Sequence, residues 1–219
     1  MAEVQLHLQC RPDLSPEAME TALARQDAGR APSSFWAMRR LPDNALPALA
    51  HAAGRHPALP DYIVSLGEGE EAATDAIALA AALMPLLALE GSSLALMDRH
   101  VILPGRDRIR LFFGLRRLPG LTLGEFHDYW LNHHADYGRR MIPPYSYHQL
   151  HARPRLAAAL AAAAGLPASD LDGSVEVDFP DVDALVRQLS RPDVAQDALA
   201  DERRFIDHGR SMIWGYELI

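Results

Sequence analysis

The chain has 219 residues, of which 49% are hydrophobic and 23% are charged. This composition excludes an intrinsically disordered chain, a collagen-like repeat and a disulfide-stapled miniprotein. The formal net charge of −8 argues against a nucleic-acid-binding protein, whose surface is normally basic. The length accommodates one large domain or two small ones.

The sequence predicts a cytoplasmic protein that makes no contact with a membrane. The single cysteine, Cys10, has no partner for an internal disulfide, which favours a reducing compartment. No basic segment followed by an apolar stretch opens the chain, so we expect no signal peptide. The most apolar stretch, residues 76–89, contains Pro85 and is too short to cross a bilayer, so it predicts a buried helix. The alanine runs and the absence of lysine are typical of a GC-rich bacterial genome.

The first half of the chain alternates strand and helix signals. Residues 4–10 alternate apolar and polar side chains, which predicts a half-buried strand. Ser15 then caps a helix that has Pro16 at its first position. Further on, the sequence predicts strands over 34–39 and 61–66, a long alanine-rich helix over 70–89 and a strand over 92–102.

The second half repeats this order. A strand over 108–116 is followed by a helix from Leu123, for which Thr122 and Glu125 form a capping box. A strand over 145–151 precedes an alanine-rich helical insert over 155–164 that ends at Gly165. The remaining segments are a strand over 174–179, a helical region over 181–205 broken near Pro192, and a strand over 211–218.

Each half therefore has the order β-α-β-β-α-β of a ferredoxin-like unit. We place the two repeats at residues 1–104 and 105–219. Each unit has an open sheet face that must be covered, and two units in one chain can cover each other and form an intramolecular α+β barrel. The alternative is two ferredoxin-like domains that do not pack sheet on sheet.

The most unusual segment is the aromatic and histidine-rich helix over 125–137. At 100° per residue, Trp130 lies on its apolar face and His134 lies at the edge of that face. Three histidines lie close together here, but their spacing does not suit a zinc site, so we expect no metal. The sequence also lacks a dinucleotide fingerprint, a phosphate loop and a nucleophile elbow, so we expect no cofactor.

The strand that follows this helix supplies candidate partners for His134. Tyr145, Tyr147, Gln149 and His151 share one face of the strand, as is typical of a pocket lining. We predict that His134 and His151 form an acid/base pair, because the pKa of histidine lies near the working pH. Tyr147 would donate a hydrogen bond. The alternative is that a buried histidine only satisfies a backbone carbonyl.

Strand alternation predicts further substrate contacts. Arg110 and Phe112 lie on the face that points between the two sheets. Arg110 would hold a carboxylate or phenolate, or else pair with an acidic side chain inside the barrel. Phe112, Trp130 and Trp214 would form apolar walls of the pocket, and the simpler alternative for Trp214 is a place in the aromatic core.

At these residues the sequence resembles the EthD family, named for ethyl tert-butyl ether degradation. The resemblance covers roughly residues 108–219. It rests on Arg116-Arg117-x-Pro119-Gly120-Leu121-Thr122, Phe126-x-x-Tyr129-Trp130-x-x-x-His134, Tyr147-x-Gln149-x-His151, Asp201-Glu202-x-x-Phe205-Ile206-Asp207 and Glu217. The first half shares only the topology and resembles a degenerate copy.

The resemblance implies a dimeric α+β barrel, here fused into one chain, with the family's helix and strand histidines at His134 and His151. It implies a cofactor-independent lyase, isomerase or oxidoreductase-linked enzyme that acts on a small hydrophobic or aromatic substrate in aromatic, polyketide, lactone or ether catabolism. Two alternatives stay open: a non-catalytic accessory protein that binds a hydrophobic ligand for an oxygenase, and a haem or metal protein. We expect one active pocket per chain, in a monomer with an internal pseudo-dimer or in a homodimer.

Overall fold

The computed structural model describes residues 2–27, 35–47, 59–68, 70–140 and 145–219. The strands are β1 (Ala2–Leu8), β2 (Phe35–Arg40), β3 (Tyr62–Glu68), β4 (Ser93–Leu103), β5 (Ile109–Leu115), β6 (Ser146–Ala152), β7 (Gly173–Phe179) and β8 (Met212–Leu218). The α-helices are α1 (Pro16–Asp27), α2 (Glu70–Leu83), α3 (Leu123–Tyr129), α4 (Ala135–Arg139), α5 (Pro154–Ala164), α6 (Val182–Leu189) and α7 (Leu199–Glu202). Turns of π-helix occupy Trp130–His134 and Asp193–Ala198, and 3₁₀ turns occupy Met84–Leu86 and Leu89–Gly91.

The eight strands close into one antiparallel barrel in the order β1-β3-β2-β8-β5-β7-β6-β4. Read as two arcs, this order is β4-β1-β3-β2 followed by β8-β5-β7-β6. Each arc has the order 4-1-3-2 of its own four strands, which is the strand order of a ferredoxin-like sheet. The structure thus confirms the predicted α+β barrel of tandem ferredoxin-like units and excludes two units that do not share a barrel.

Two seams join the arcs. At one seam β2 pairs with β8, and at the other β4 pairs with β6, where Asp98 lies opposite His151. Each seam joins the second strand of one unit to the fourth strand of the other, so the barrel has an internal pseudo-twofold arrangement. Closure leaves no exposed sheet edge between the units.

The helices cover the outside of the barrel and form two separate apolar clusters. Around the first unit, α1, α2 and α5 pack on the sheet through residues such as Leu23, Leu79 and Ala161. Around the second unit, the cluster includes Phe126, Trp130 and Phe205. A third, smaller cluster lies inside the barrel beside a network of charged side chains.

The helix boundaries follow local chemistry. The predicted helix over 70–89 stops at Leu83, because Pro85 has no amide hydrogen to continue it, and a 3₁₀ turn follows. The insert helix α5 is present and ends at Gly165, which has a φ of 70°. The break near Pro192 is also confirmed, since α6 ends at Leu189 and Pro192 precedes a π turn. Within the described segments, every helix is too short or too polar to cross a membrane.

Candidate functional site

A cavity of about 110 Å³ lies between the outer face of the second unit's sheet and the helices that cover it. Its walls come from β5, β6, β7 and β8 below, and from the α3–α4 and α6–α7 helical segments above. The walls are mostly apolar, with five polar side chains among the lining residues. The lining residues are Leu111, Phe113, His134, Tyr137, Gly138, Tyr147, Val175, Val177, Phe179, Gln188, Leu189, Ala198, Glu202 and Ile213.

The α3–α4 segment places His134 over the sheet. Its start is fixed by the predicted capping box, in which the Glu125 backbone N–H donates to Thr122 Oγ1 (3.2 Å) and the Thr122 N–H donates to Glu125 Oε2 (2.8 Å). A π turn over Trp130–His134 then widens the helix, a distortion that is frequent at functional sites. His134 is only 8% exposed, so it lies further inside than the predicted edge position.

His134 lies between two carboxylates from α7. Its Nδ1 is 2.8 Å from Asp201 Oδ2, and its Nε2 is 3.9 Å from Glu202 Oε1. Asp201 accepts the Nδ1 hydrogen and so sets the tautomer of the neutral ring with its lone pair on Nε2. Glu202 is in turn 2.8 Å from His208 Nε2. The structure therefore places the free nitrogen of His134 at the cavity beside a second carboxylate.

Asp201 is held in its ionised form by the groups around it. Burial acts to raise the pKa of its carboxyl, but hydrogen bonds from Tyr129 and His134 outweigh this effect and the pKa is lowered. The Tyr129 hydroxyl donates to Asp201 Oδ1 at 2.6 Å, on the other oxygen from His134. The carboxylate is thus fixed on both oxygens and can hold the imidazole in one orientation.

A second chain of hydrogen bonds runs along β6. Gln149 Nε2 donates to the Tyr147 hydroxyl at 2.8 Å and to the Trp130 carbonyl at 3.1 Å, and its Oε1 is 3.2 Å from His151 Nε2. Because Gln149 uses an N–H toward Tyr147, the Tyr147 oxygen is the acceptor and its own hydrogen remains for another partner. Burial raises the pKa of Tyr147 to about 12, so the hydroxyl stays protonated.

His151 lies outside the cavity, at the far end of this chain. It stacks on Trp130 with 4.7 Å between ring centroids, and on His127 at 4.3 Å. Burial and the neighbouring histidines His127 and His100 lower the pKa of His151 to about 2, so its ring is neutral. The structure does not bring His134 and His151 together at one ligand. A neutral ring that donates to an amide oxygen is also a poor proton shuttle, which weighs against the predicted pair.

The cavity is closed at one side by a close approach of α4 to β6. A Cβ atom placed on Gly138 would lie 2.0 Å from the nearest atom of the Tyr147 ring. Only glycine allows the helix backbone to lie this near the aromatic ring. Gly138 therefore fixes the position of Tyr147 and, through it, the shape of the cavity.

The other predicted site residues lie around the cavity or on the opposite face of the sheet. Trp130 is buried behind Tyr147, and the ring of Tyr145 packs on Phe179 at 4.5 Å. Phe112 faces the barrel interior, as predicted, and its neighbours Leu111 and Phe113 line the cavity instead. Substrate contact by Phe112 would therefore require a ligand inside the barrel.

Arg110 and Trp214 are committed to structural contacts. Arg110 is 1% exposed and pairs with Asp178 and Glu176, which is the alternative partner class foreseen for it. The indole N–H of Trp214 donates to the Leu41 carbonyl at 2.9 Å. Neither lines the cavity, and their predicted substrate contacts are not supported by this placement.

Asp201 and Glu202 had no predicted role, although both appear in the motif that carries the EthD resemblance. They lie 67 and 68 residues after His134, on a separate helix, so no spacing rule connects them. The available signal was their place in the motif Asp201-Glu202-x-x-Phe205-Ile206-Asp207. Among the described residues, no group of three or more His, Cys, Asp or Glu side chains is arranged to hold a metal ion.

Comparisons with known proteins agree with this fold. A solved structure of a provisionally named chlorite dismutase aligns with 100% of this chain and 94% of its own, at 12% identity and a TM-score of 0.57. A provisionally named monooxygenase from Lactobacillus acidophilus aligns with 99% of this chain and 92% of its own, at 6% identity and a TM-score of 0.53. No curated protein matches the sequence. The family model described as EthD domain matches residues 118–209, which include His134, Tyr147, Asp201 and Glu202.

Proposed function

We propose that the protein is an enzyme that transfers a proton on a small, largely apolar substrate bound in the sheet–helix cavity. In this proposal His134 is the general base, Asp201 orients it, and Tyr147 donates a hydrogen bond to a substrate oxygen. The proposal keeps the predicted roles of His134 and Tyr147. It assigns His151 to the support of Tyr147 through Gln149, and not to proton transfer.

The observation that carries the proposal is the bond between His134 Nδ1 and Asp201. It leaves Nε2 as the basic atom, at the cavity wall. When Nε2 takes a proton, the ring becomes a cation between Asp201 and Glu202. The charge formed in that step therefore lies beside two carboxylates.

Tyr147 supplies the complementary group. Its hydroxyl hydrogen is left for a ligand, and the high pKa keeps it a donor. Removal of a proton next to a carbonyl places negative charge on the carbonyl oxygen, and a hydrogen bond aimed at that oxygen lowers the barrier. A base and a donor in one apolar cavity are the minimum that such a proton transfer needs.

The cavity indicates the substrate class. A volume of about 110 Å³ is close to that of a single small ring, since an engineered cavity of ~150 Å³ binds benzene. Aliphatic and aromatic side chains form most of the walls, so the ring must be apolar apart from the oxygen that Tyr147 meets. A phenol, a quinone-like ring or a small lactone fits this description, in agreement with the catabolic role that the EthD resemblance implies.

The test is hydrogen exchange in heavy water. A panel of small phenols, cyclic ketones and lactones is incubated with the protein, and deuterium uptake at carbon is followed by mass spectrometry and NMR. We expect uptake from at least one compound, and a fall of ~10²- to 10⁴-fold in His134→Asn. The exposed neighbour His133→Asn is the matched control and should retain the wild-type rate.

Two results would count against proton transfer. Unchanged exchange in His134→Asn would remove His134 from the chemistry. Saturable binding of a panel compound without any exchange or conversion would instead favour the accessory, ligand-binding alternative.

A further inference from the structure

Three glutamines are buried in the described part of the chain, and they differ in what their amides contact. Gln5 Nε2 donates to Glu176 Oε1 at 2.6 Å, and its Oε1 accepts from Ser174 Oγ at 3.4 Å. Gln149 makes its three contacts along β6. Gln188 is only 5% exposed, yet no group among the described residues forms a hydrogen bond with its side-chain amide. Because buried polar groups are normally paired, Gln188 is an exception that needs an explanation.

Gln188 lies on the face of α6 that covers the cavity. The buried residues of this helix are Ala184, Leu185 and Gln188, so the amide takes a position where the helix otherwise packs apolar side chains on the sheet. Gln188 and the next residue, Leu189, both line the cavity. An apolar side chain of similar length would fill this place without the free-energy cost of taking an amide out of water. The stability of the fold therefore does not account for a glutamine here.

The cavity brings this amide to the same small space as the groups of the proposed reaction. Tyr147 reaches the cavity from the sheet below, and Gln188 reaches it from the helix above, so the two can meet different atoms of one ring. In a cavity of about 110 Å³, a bound ring takes the space that water would need to reach the amide. The ligand itself must then supply the partner of Gln188.

The chemistry of the amide limits what this partner can be. An amide donates through Nε2 and accepts through Oε1, so it can pair with a hydroxyl, a carbonyl or a ring oxygen. It has no charge to balance a carboxylate, and no arginine is found among the described residues of the lining. Glu202 also lines the cavity, and its carboxylate disfavours a second negative charge there. The partner is therefore an uncharged oxygen.

We propose that Gln188 determines specificity for a substrate ring with a second, uncharged oxygen, in addition to the oxygen that meets Tyr147. The inference rests on the proposed function, because it takes Tyr147 as the contact of the first oxygen. The apolar walls alone indicate a ring with a single oxygen, and the amide adds the second. Dihydroxybenzenes and hydroxylated cyclic ketones belong to this class, whereas phenol does not. A ring without the second oxygen leaves the amide unpaired and binds more weakly.

The experiment compares phenol with catechol, resorcinol and hydroquinone by isothermal titration of the full chain. For each protein, the dissociation constant of phenol is divided by that of the tightest dihydroxybenzene. We expect this ratio to fall ~10-fold in Gln188→Met, which keeps the length of the side chain and removes the amide. Leu189→Met, on the same wall, is the matched control, since it removes no polar group and should keep the wild-type ratio.

A carboxylate tests whether the second group is uncharged. 3-Hydroxybenzoate carries a negative charge at the position of the second hydroxyl of resorcinol, so we expect it to bind wild type no more tightly than phenol. Tighter binding of 3-hydroxybenzoate than of resorcinol would overturn the assignment of an uncharged oxygen to Gln188.

Unfolding without ligand separates a ligand contact from a structural one. Gln188→Met removes an amide without a partner, so its free energy of unfolding in urea should equal or exceed that of wild type. Gln149→Met breaks three contacts and should be less stable. An equal loss of stability in both variants would assign Gln188 to the fold and overturn the proposal.

The binding ratios need no turnover, so this inference and the proposed proton transfer fail separately. A wild-type protein that prefers a dihydroxybenzene but exchanges no deuterium would contradict proton transfer and leave the role of Gln188 in place. An unchanged ratio in both Gln188→Met and Gln188→Leu would overturn that role, whatever the exchange rate. Wild type that binds none of the rings would overturn it as well.

Discussion

Two helical glycines in the same segment allow a direct test of how the cavity is held open. Gly138 lies against Tyr147, and a Cβ there would be 2.0 Å from a ring atom. Ordinary contact begins at 3.4 Å, so the ring must retreat by about 1.4 Å in Gly138→Ala. Such overpacking typically costs ~1–3 kcal/mol. The added methyl also raises helix propensity by ~1 kcal/mol, so we expect a net loss of up to ~2 kcal/mol.

Gly124→Ala is the matched control, because nothing lies within 4 Å of the Cβ position in the exposed face of α3. This variant gains the same helix propensity without a steric clash of the new Cβ atom, and it should raise the free energy of unfolding by up to ~1 kcal/mol. Urea unfolding with a common m-value measures both variants, and their free energies of unfolding should differ by ~1–3 kcal/mol. Equal stabilities would show that Tyr147 is free to move and that Gly138 does not set the shape of the cavity.

Three further changes probe the network, the histidine stack and the helix start. Glu176→Gln leaves Arg99 and Arg110 without their shared carboxylate and should lower the free energy of unfolding by ~3–5 kcal/mol, measured by urea unfolding. Asp13→Asn, in an exposed ion pair, is the control and should leave the urea midpoint unchanged. Because the pKa of His151 is lowered in the folded protein, the unfolded chain binds a proton that the folded chain does not, and the free energy of unfolding falls as the pH drops below about 6.5. His151→Gln should therefore flatten the dependence of stability on pH between about pH 6.5 and 4.5. An identical slope in this variant would contradict the effect ascribed to the burial of His151. Thr122→Ala removes the cap of α3 and should lower stability by ~1 kcal/mol in thermal unfolding, while Thr122→Ser, which retains the hydroxyl, should stay near wild type.

Local signals were sufficient to predict the architecture from sequence. Period-two alternation located the strands, and the repeated order of strands and helices predicted a barrel without knowledge of which strands pair. The alternation along β5 also placed Arg110 and Phe112 in the interior, where the structure has them. These features depend on near neighbours in the chain, which is why they were accessible.

The candidate site was predicted only in part, because it depends on contacts between distant segments. His134 and Tyr147 were identified from their own helix and strand, and both line the cavity. The π turn then rotates His134 inward, a shift that a uniform 100° per residue does not anticipate. Its partner Asp201 comes from α7, whereas the pairing of His134 with His151 was predicted from the faces of one helix and of the strand that follows it.

The position of the cavity was missed for a related reason. Leu111 and Phe113 look like ordinary core residues in sequence, because an apolar wall of a cavity and a filled core have the same composition. Only the packing above them distinguishes the two cases. The polar residue Arg110 predicted a pocket lining on the other face of β5, but this arginine belongs to a buried ionic network.

The two halves of the barrel show which polar groups the fold itself requires. In the first unit, β2 holds the place that β6 holds in the second, and its outward residues Phe35 and Ala37 pack in an apolar cluster with α1, α2 and α5. That half closes without buried histidines between sheet and helices among its described residues. In the second half, His134 and Gln149 are buried between the sheet and the helices. Their hydrogen bonds compensate for the free energy lost when these polar groups leave water, but add little stability beyond that. Since barrel closure does not need these groups, their burial supports the proposed ligand site, which the described residues of the first half do not repeat between sheet and helices.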